Sequence, residues 1–353
     1  MILFPFIGDS IGGSFYSAIS FYRALISRKY RAVIIIFDTT GPIASFLDKE
    51  KISYICYEDI KFPRYQNPIQ YLLFLVKNLK TGIIFLKTVK PKVVVSNDIR
   101  MNFFFTLHTL FFRFRHIWFQ RKRMPRSVIL QSIMALNSRV VCVSQFVADG
   151  AKLLVLKNKI SVIGNLISIP NVTDKIYSFS QIESKALRVG FIGPLRLQKG
   201  KGILEALING QVGLKRELEY HLFCGNINSE QKKTFGNKGV VWHGYSFNRD
   251  KIFSSFDVLL CLGIDEGFGR TLIESLLHRV PVIAISSGAH AEVASIVESN
   301  GITIVNSLEE IVDQLNHFQV NQNRVDLYDI LPFIEKFNAK TEVSLFKIIG
   351  DGE

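Results

Sequence analysis

Short β-branched runs alternate with stretches of helical period along nearly the whole chain. This alternation restricts the fold more than any other feature, because strand–helix–strand repetition is the pattern of α/β units with parallel sheets. The runs fall into two series. The first is Ile2–Phe6, Ala32–Phe37, Ile52–Cys56, Val93–Ser96, His116–Phe119 and Val140–Val143, with helices expected at Phe15–Ser27, Gln70–Lys87 and Arg126–Asn137. The second is Arg188–Ile192, Glu219–Cys224, Val240–His243, Val258–Leu262, Pro281–Ile285 and Ile302–Val305, and Leu331–Ile349 reads as one or two terminal helices. Each series suffices for its own doubly wound sheet. Residues from about Ile167 to Leu187 are polar and aperiodic, which places the linker at 171–186 between domains at 1–170 and 187–334. A chain of 353 residues, 48% hydrophobic, can fill two cores.

One stretch carries the sharpest chemistry: Glu266-Gly-Phe-Gly-Arg-Thr-Leu-Ile-Glu274. An apolar run precedes it and a helix-like stretch follows, so the glycine turn falls at a helix N-terminus. Unpaired backbone N–H groups and the positive dipole end there favour an anion such as a diphosphate. Glu266 and Glu274 would repel that anion, so they are expected to meet hydroxyl donors, those of a sugar or a ribose. Two further glycine turns follow first strands. Gly193-Pro-Leu-Arg196-Leu-Gln-Lys199-Gly200 sets two cations in a strand-to-helix loop, suited to charge building on a nucleotide leaving group. Gly8-Asp9-Ser10-Ile11-Gly12-Gly13-Ser14 allows close backbone approach to a ligand.

Several chemistries lack their residues. There is no GxxxxGK[ST] and no GxGxxG, which discounts a P-loop and a dinucleotide fingerprint. No DxD and no His/Asp/Glu spacing suits a metal, so Lys and Arg are left to neutralise charge, and neither metal nor cofactor is expected. Cys56, Cys142, Cys224 and Cys261 are scattered, three of them inside apolar runs, as reduced thiols of a cytosolic protein are. The N-terminus reads as a first core strand and not as a signal peptide, and the nearest apolar segment, Met101 to Phe112, is too short to span a membrane.

Charge is uneven along the chain. Residues 1–180 hold 25 Lys+Arg against 9 Asp+Glu, a net +16, while residues 181–353 hold 18 against 21, a net −3. One domain is therefore expected to meet a polyanion or an anionic membrane. The segments Tyr71–Lys87 and Phe112–Arg126 interleave cations with apolar and aromatic residues, which suits an anionic lipid surface. No nucleic-acid recognition motif accompanies the charge.

The ordered set Gly12-Gly13, Val141-Cys-Val-Ser144, Ile160–Asn165, Val189-Gly-Phe-Ile-Gly193…Lys199-Gly200, Trp242-His-Gly244 and Glu266…Glu274 resembles the retaining nucleotide-sugar glycosyltransferases of glycosyltransferase family 4, group 1. The resemblance covers nearly the whole chain. It implies the GT-B fold, two facing Rossmann-like α/β domains with a deep inter-domain cleft. Residues 1–170 would form the acceptor-side domain, joined by a C-terminal helix at about 335–353, and 187–334 the donor domain. Glu266 would hold donor-sugar hydroxyls and Glu274 the ribose. The amides of Gly267, Phe268, Gly269, Arg270 and Thr271 would contact sugar and diphosphate. Lys199 would bind the diphosphate, with Gly193 in the same loop and Gly12 and Gly13 approaching from the other domain. Arg196 stands in for the family's arginine, whose place Pro194 occupies. Asp9, Ser14, His116 and Gln120 are the acceptor-side candidates. Transfer would retain configuration, with the leaving diphosphate helping to deprotonate the acceptor hydroxyl and no covalent nucleophile. The implied partners are a nucleotide-diphosphate sugar, a glycan acceptor linked to lipid, and the cytoplasmic membrane face. An epimerase or phosphorylase of the same fold, or a silent nucleotide- or glycan-binding protein, is the alternative.

Overall fold

A computed structural model of the chain describes residues 1–63, 68–124, 127–152, 154–169, 186–210, 213–225, 233, 235, 239–246, 248–320 and 322–350. The expected linker, apart from residue 186, lies outside them, as do Arg126 and the last three residues of the expected C-terminal helix. The chain divides into two compact units, one of Met1–Leu166 together with the segment from Ala339 onward, the other Ile167–Asn338.

The first unit is built on β1 (Ile2–Phe6), β2 (Ala32–Ile36), β3 (Tyr54–Cys56), β4 (Val93–Ser96), β5 (Arg115–Gln120), β6 (Arg139–Cys142) and β7 (Ile160–Val162). All pairings are parallel, in the order β3-β2-β1-β4-β5-β6-β7. Strand β7 is absent from the strand candidates. It is three residues long, sits at the sheet edge and is only partly buried, so it has no continuous apolar run to betray it. Parallel strands need crossovers, and here these are α1 (Gly13–Ser27), α2 (Pro42–Lys49), α3 (Pro68–Lys77), α4 (Leu79–Val89), α5 (Ile99–His108), α6 (Val128–Ala135) and α7 (Gln145–Ala151). The helix expected at Gln70–Lys87 is two, because Asn78 (φ −96°, ψ 7°) leaves helical geometry and caps the second.

The second unit holds β8 (Leu187–Ile192), β9 (Leu218–Phe223), β10 (Val240–Trp242), β11 (Val258–Cys261), β12 (Val282–Ile285) and β13 (Ile302–Val305), also all parallel. Their order is β10-β9-β8-β11-β12-β13, the doubly wound arrangement of a dinucleotide-type fold. Its described helices are α8 (Lys201–Ile208), α9 (Arg249–Phe253), α10 (Arg270–Leu276), α11 (His290–Ala294), α12 (Leu308–His317) and α13 (Leu327–Gly350). The last begins in the second unit and ends in the first. Its Leu345, Ile348 and Ile349 join Phe4, Ile34, Val95 and Ile117 in the first core, and Arg115 donates to the carbonyls of Ile348 and Ile349 at its C-terminus. A guanidinium there satisfies carbonyls that the helix leaves unpaired. The second core gathers Val189, Phe191, Leu204, Leu222, Leu260 and Leu315 around β8.

Among the described residues no helix is long and apolar enough to cross a membrane. Cys142, Cys224 and Cys261 are buried and Cys56 is exposed; burial pushes the three inner thiols up to about 12, so they stay protonated.

Candidate active site

Open parallel sheets bind ligands beyond the carboxyl ends of their strands, where the strand order reverses. In the second unit that point lies between β8 and β11. The loop after β8 carries Arg196 and Lys199, and the loop after β11 carries Glu266. Lys199 Nζ donates to Glu266 Oε2, although the two residues stand far apart in the chain. Their side chains keep 38% and 27% of their surface exposed, so the pair is open to a ligand.

Backbone contacts fix both partners. Ile264 N–H donates to Gln198 O at 2.8 Å, joining the two loops directly. Gly200 follows Lys199 in left-handed geometry (φ 82°), and a Cβ there would stand 2.3 Å from Leu262 O. From the other side, Ala289 N–H donates to Glu266 O at 2.9 Å. Gly288 (φ 61°) lies so close that a Cβ would come within 2.4 Å of Glu266 O and 2.5 Å of its N. Only glycine combines that conformation with that approach. The loop after β12 therefore presses on the Glu266 backbone, which gives the lone glycine of Ser287–Glu292 its reason. Next to it, His290 donates from Nδ1 to Ile285 O at 2.8 Å, and burial holds its pKa below the usual histidine range, so it adds no charge beside the ion pair.

The turn between the two glutamates is tight: Asp265 (φ 59°) and Gly269 (φ 68°) are both left-handed, and Gly269 caps α10. Gly267, Phe268 and Gly269 are buried, with the Phe268 ring 6.1 Å from that of Phe337. Arg270 and Thr271 open the helix, and the Thr271 hydroxyl lies 3.9 Å from Cys261 Sγ. One turn further, Glu274 Oε1 pairs with Arg270 at 3.0 Å. Its Oε2 stands 3.4 Å from Arg249 of α9, is buried, and accepts no hydrogen bond among the described residues. That oxygen keeps a lone pair for a hydroxyl donor. Gly193 (φ 133°) bonds back to Phe223 O at 3.1 Å, and Arg196 is exposed.

In the first unit the strand order reverses between β1 and β4. Gly12 caps α1, and Gly12, Gly13 and Ser14 are exposed, with open space where a Cβ would stand on either glycine. Asp9 is held: its carboxylate takes two bonds from Arg100 at the start of α5, at 2.8 and 3.1 Å. Arg100 is buried and also bonds Asp98 at 3.2 Å. His116 is fully buried on β5, its Nε2 2.5 Å from Ser96 Oγ and its Nδ1 3.3 Å from Thr106 Oγ1. Burial pushes its pKa down to about 3, so it is neutral. Gln120 accepts from Trp118 Nε1 at 2.8 Å and donates to Lys122 O. Both residues are engaged in the sheet's own polar packing.

Two groupings were not singled out from sequence. Arg249 reaches Glu274 only because α9 follows β10, and no local pattern links them. At the carboxyl ends of β4, β5 and β7, Arg121 donates to the side-chain oxygens of Asn97 and Asn165. Among the described residues no three His, Cys, Asp or Glu side chains group as metal ligands.

Solved structures place this architecture. HepE from Anabaena, crystallised in complex with UDP and glucose, matches with a TM-score of 0.69 at 17% identity, over 99% of this chain and 98% of that one. Sucrose-phosphate synthase from Thermosynechococcus elongatus matches with a TM-score of 0.78 at 12% identity, over 99% and 98%. The lipopolysaccharide outer core galactosyltransferase WaaB matches with a TM-score of 0.68 at 16% identity, over 98% of both chains. The chain thus has the GT-B fold, two Rossmann-like α/β domains with parallel sheets. Residues 186–319, which carry Lys199, Glu266 and Glu274, match the family model of glycosyl transferases group 1. No curated protein matches the chain by sequence.

Proposed function

We propose that this protein is a retaining, metal-independent glycosyltransferase that moves a sugar from a nucleotide-diphosphate donor to a hydroxyl of a glycan acceptor. The observation that carries the reading is the Lys199–Glu266 ion pair at the strand-order reversal of the second sheet. A diphosphate that takes over Lys199 frees both Glu266 oxygens to accept hydroxyls of the donor sugar. Arg196 adds a second cation from the same loop, and the turn Gly267–Thr271 brings backbone amides to the same place. The buried Oε2 of Glu274, with no hydrogen bond of its own, suits a ribose hydroxyl. Lys199 then stabilises the charge that grows on the leaving diphosphate, and the diphosphate oxygen takes the proton of the attacking hydroxyl on the same face of the sugar. The protein contributes positioning and fixed charge, worth several powers of ten in rate.

Asp9 and Ser14 serve the acceptor side in this reading, and Gly12 and Gly13 of the first unit approach the donor diphosphate. The acceptor is a lipid-linked precursor of a surface polysaccharide or lipopolysaccharide, met at the cytoplasmic membrane face by a peripherally bound protein. The basic excess of residues 1–180 supports that surface. The UDP held by HepE makes UDP the first nucleotide to try.

A thermal-shift screen of nucleoside diphosphates and their sugar derivatives tests the proposal. A ligand at a hundred times its Kd stabilises the native state by about 2.7 kcal/mol, a readable rise in Tm. Silence toward every nucleotide diphosphate would sink the reading. Slow hydrolysis of the stabilising donor separates an enzyme from a silent binder.

A further inference from the structure

Helices α3 and α4 are apolar on two sides. Their inner sides bury Tyr71, Leu75, Phe85 and Leu86 in the first unit. Their outer sides leave Leu72 61%, Leu73 65%, Val76 65% and Ile84 51% exposed. Exposed apolar positions at this density mark a surface that meets something apolar, since a helix apolar all round is ordinarily buried. The outer stripe continues with Lys77 on α3 and Lys80 and Lys87 on α4, all exposed. Among the described residues none of those three lysines is in an ion pair. From residue 61 to 148 the sequence has 15 Lys+Arg and a single acid, Asp98, which is tied to Arg100.

We infer that the outer face of α3 and α4 is where this protein lies on an anionic lipid bilayer, with Leu72, Leu73, Val76 and Ile84 among the acyl chains and Lys77, Lys80 and Lys87 at the phosphates. Lysine suits that arrangement, because its stem follows apolar surface while its ammonium reaches the headgroups. Charge decides against a second copy of the chain. A symmetric contact through this face would set lysine against lysine with no acid to intervene. An anionic bilayer answers both the apolar stripe and the unbalanced cations. The inference rests on the membrane part of the proposed function and gives it a location.

Flotation of the full chain with vesicles tests the surface directly. The wild-type protein floats with vesicles containing phosphatidylglycerol and stays behind with vesicles of phosphatidylcholine alone, and added salt weakens the association. Neutralising three lysines in the variant K77Q/K80Q/K87Q lowers the partition by on the order of a hundred-fold, from about five-fold per lysine. The variant L73Q/V76Q lowers it by about ten-fold or more. Both changes lie on exposed positions, and circular dichroism checks that the fold is kept. Equal flotation with both lipids, flotation with neither, or variants that float like the wild type would overturn the assignment. So would a dimer, seen by light scattering, that L73Q/V76Q dissolves. A nucleotide thermal shift retained without flotation removes this surface and leaves the transferase reading; flotation without any shift does the reverse.

Discussion

The two sheets present the same device with its charges exchanged and its exposure reversed. In the second unit the loop after the first strand supplies the cation, Lys199, and the loop after the fourth-position strand supplies the acid, Glu266. In the first unit the acid, Asp9, follows β1, and the cation, Arg100, follows β4. Arg100 keeps 9% of its side-chain surface, against 38% for Lys199. It is locked by Asp9, Asp98 and the Pro63 carbonyl, whereas Lys199 has one carboxylate partner among the described residues. A buried guanidinium with every fork occupied is a structural tie, and removing it strands charge. A half-exposed ammonium with one partner can exchange that partner for a diphosphate at small cost. The same topological position thus holds a fastening in one unit and, in the proposed reading, a ligand site in the other.

The largest expected effect breaks the second device. Lys199→Ala and Glu266→Ala should each lower donor turnover by on the order of a hundred- to a thousand-fold, read by product release at saturating donor. Their urea midpoints should stay close to wild type, because an exposed pair contributes less than about 1 kcal/mol. Near-normal turnover in both would remove the distinction between the units. Arg100→Ala should show the opposite profile, with a loss of about 2–3 kcal/mol in urea unfolding, the buried-pair figure reduced for the one-third exposure of Asp9. An Arg100→Ala protein as stable as wild type would mean that the first device is no fastening.

A smaller effect per unit of pH concerns the polar packing behind the first device. His116 protonates near 6.5 when unfolded but only at about 3 in the fold. Between those values the unfolded state binds the extra proton, so stability falls as pH falls, by about 1.4 kcal/mol per pH unit. His116→Gln should flatten that part of the acid limb in unfolding measured from pH 6 downward. An unchanged limb would assign the acid sensitivity to other buried histidines, such as His108 and His290, whose pKa values burial also lowers.

Much of the fold was legible because parallel strands buried on both faces read as uninterrupted β-branched runs. The expected Ile2–Phe6, Val93–Ser96 and Ile302–Val305 coincide with β1, β4 and β13. Strand β7 escaped notice as a short, half-exposed edge. The break at Asn78 also escaped, since apolar periodicity runs straight through it. At the site, Glu266, Lys199 and Glu274 stood out because glycine turns after strands are local signals. The Arg249 contact and the Arg121–Asn97–Asn165 cluster join residues with no common pattern, so only strand order could bring them together.

The sequence by itself determined the α/β class, the two series of strands, the glycine turns and the imbalance of charge, all of which depend on neighbours within a few residues. The tertiary structure decided which charges meet and how deeply they lie. It set Lys199 against Glu266 in the open and sealed Arg100 against Asp9, because burial and ion pairing depend on strand order and packing across many residues, which local spacing does not encode.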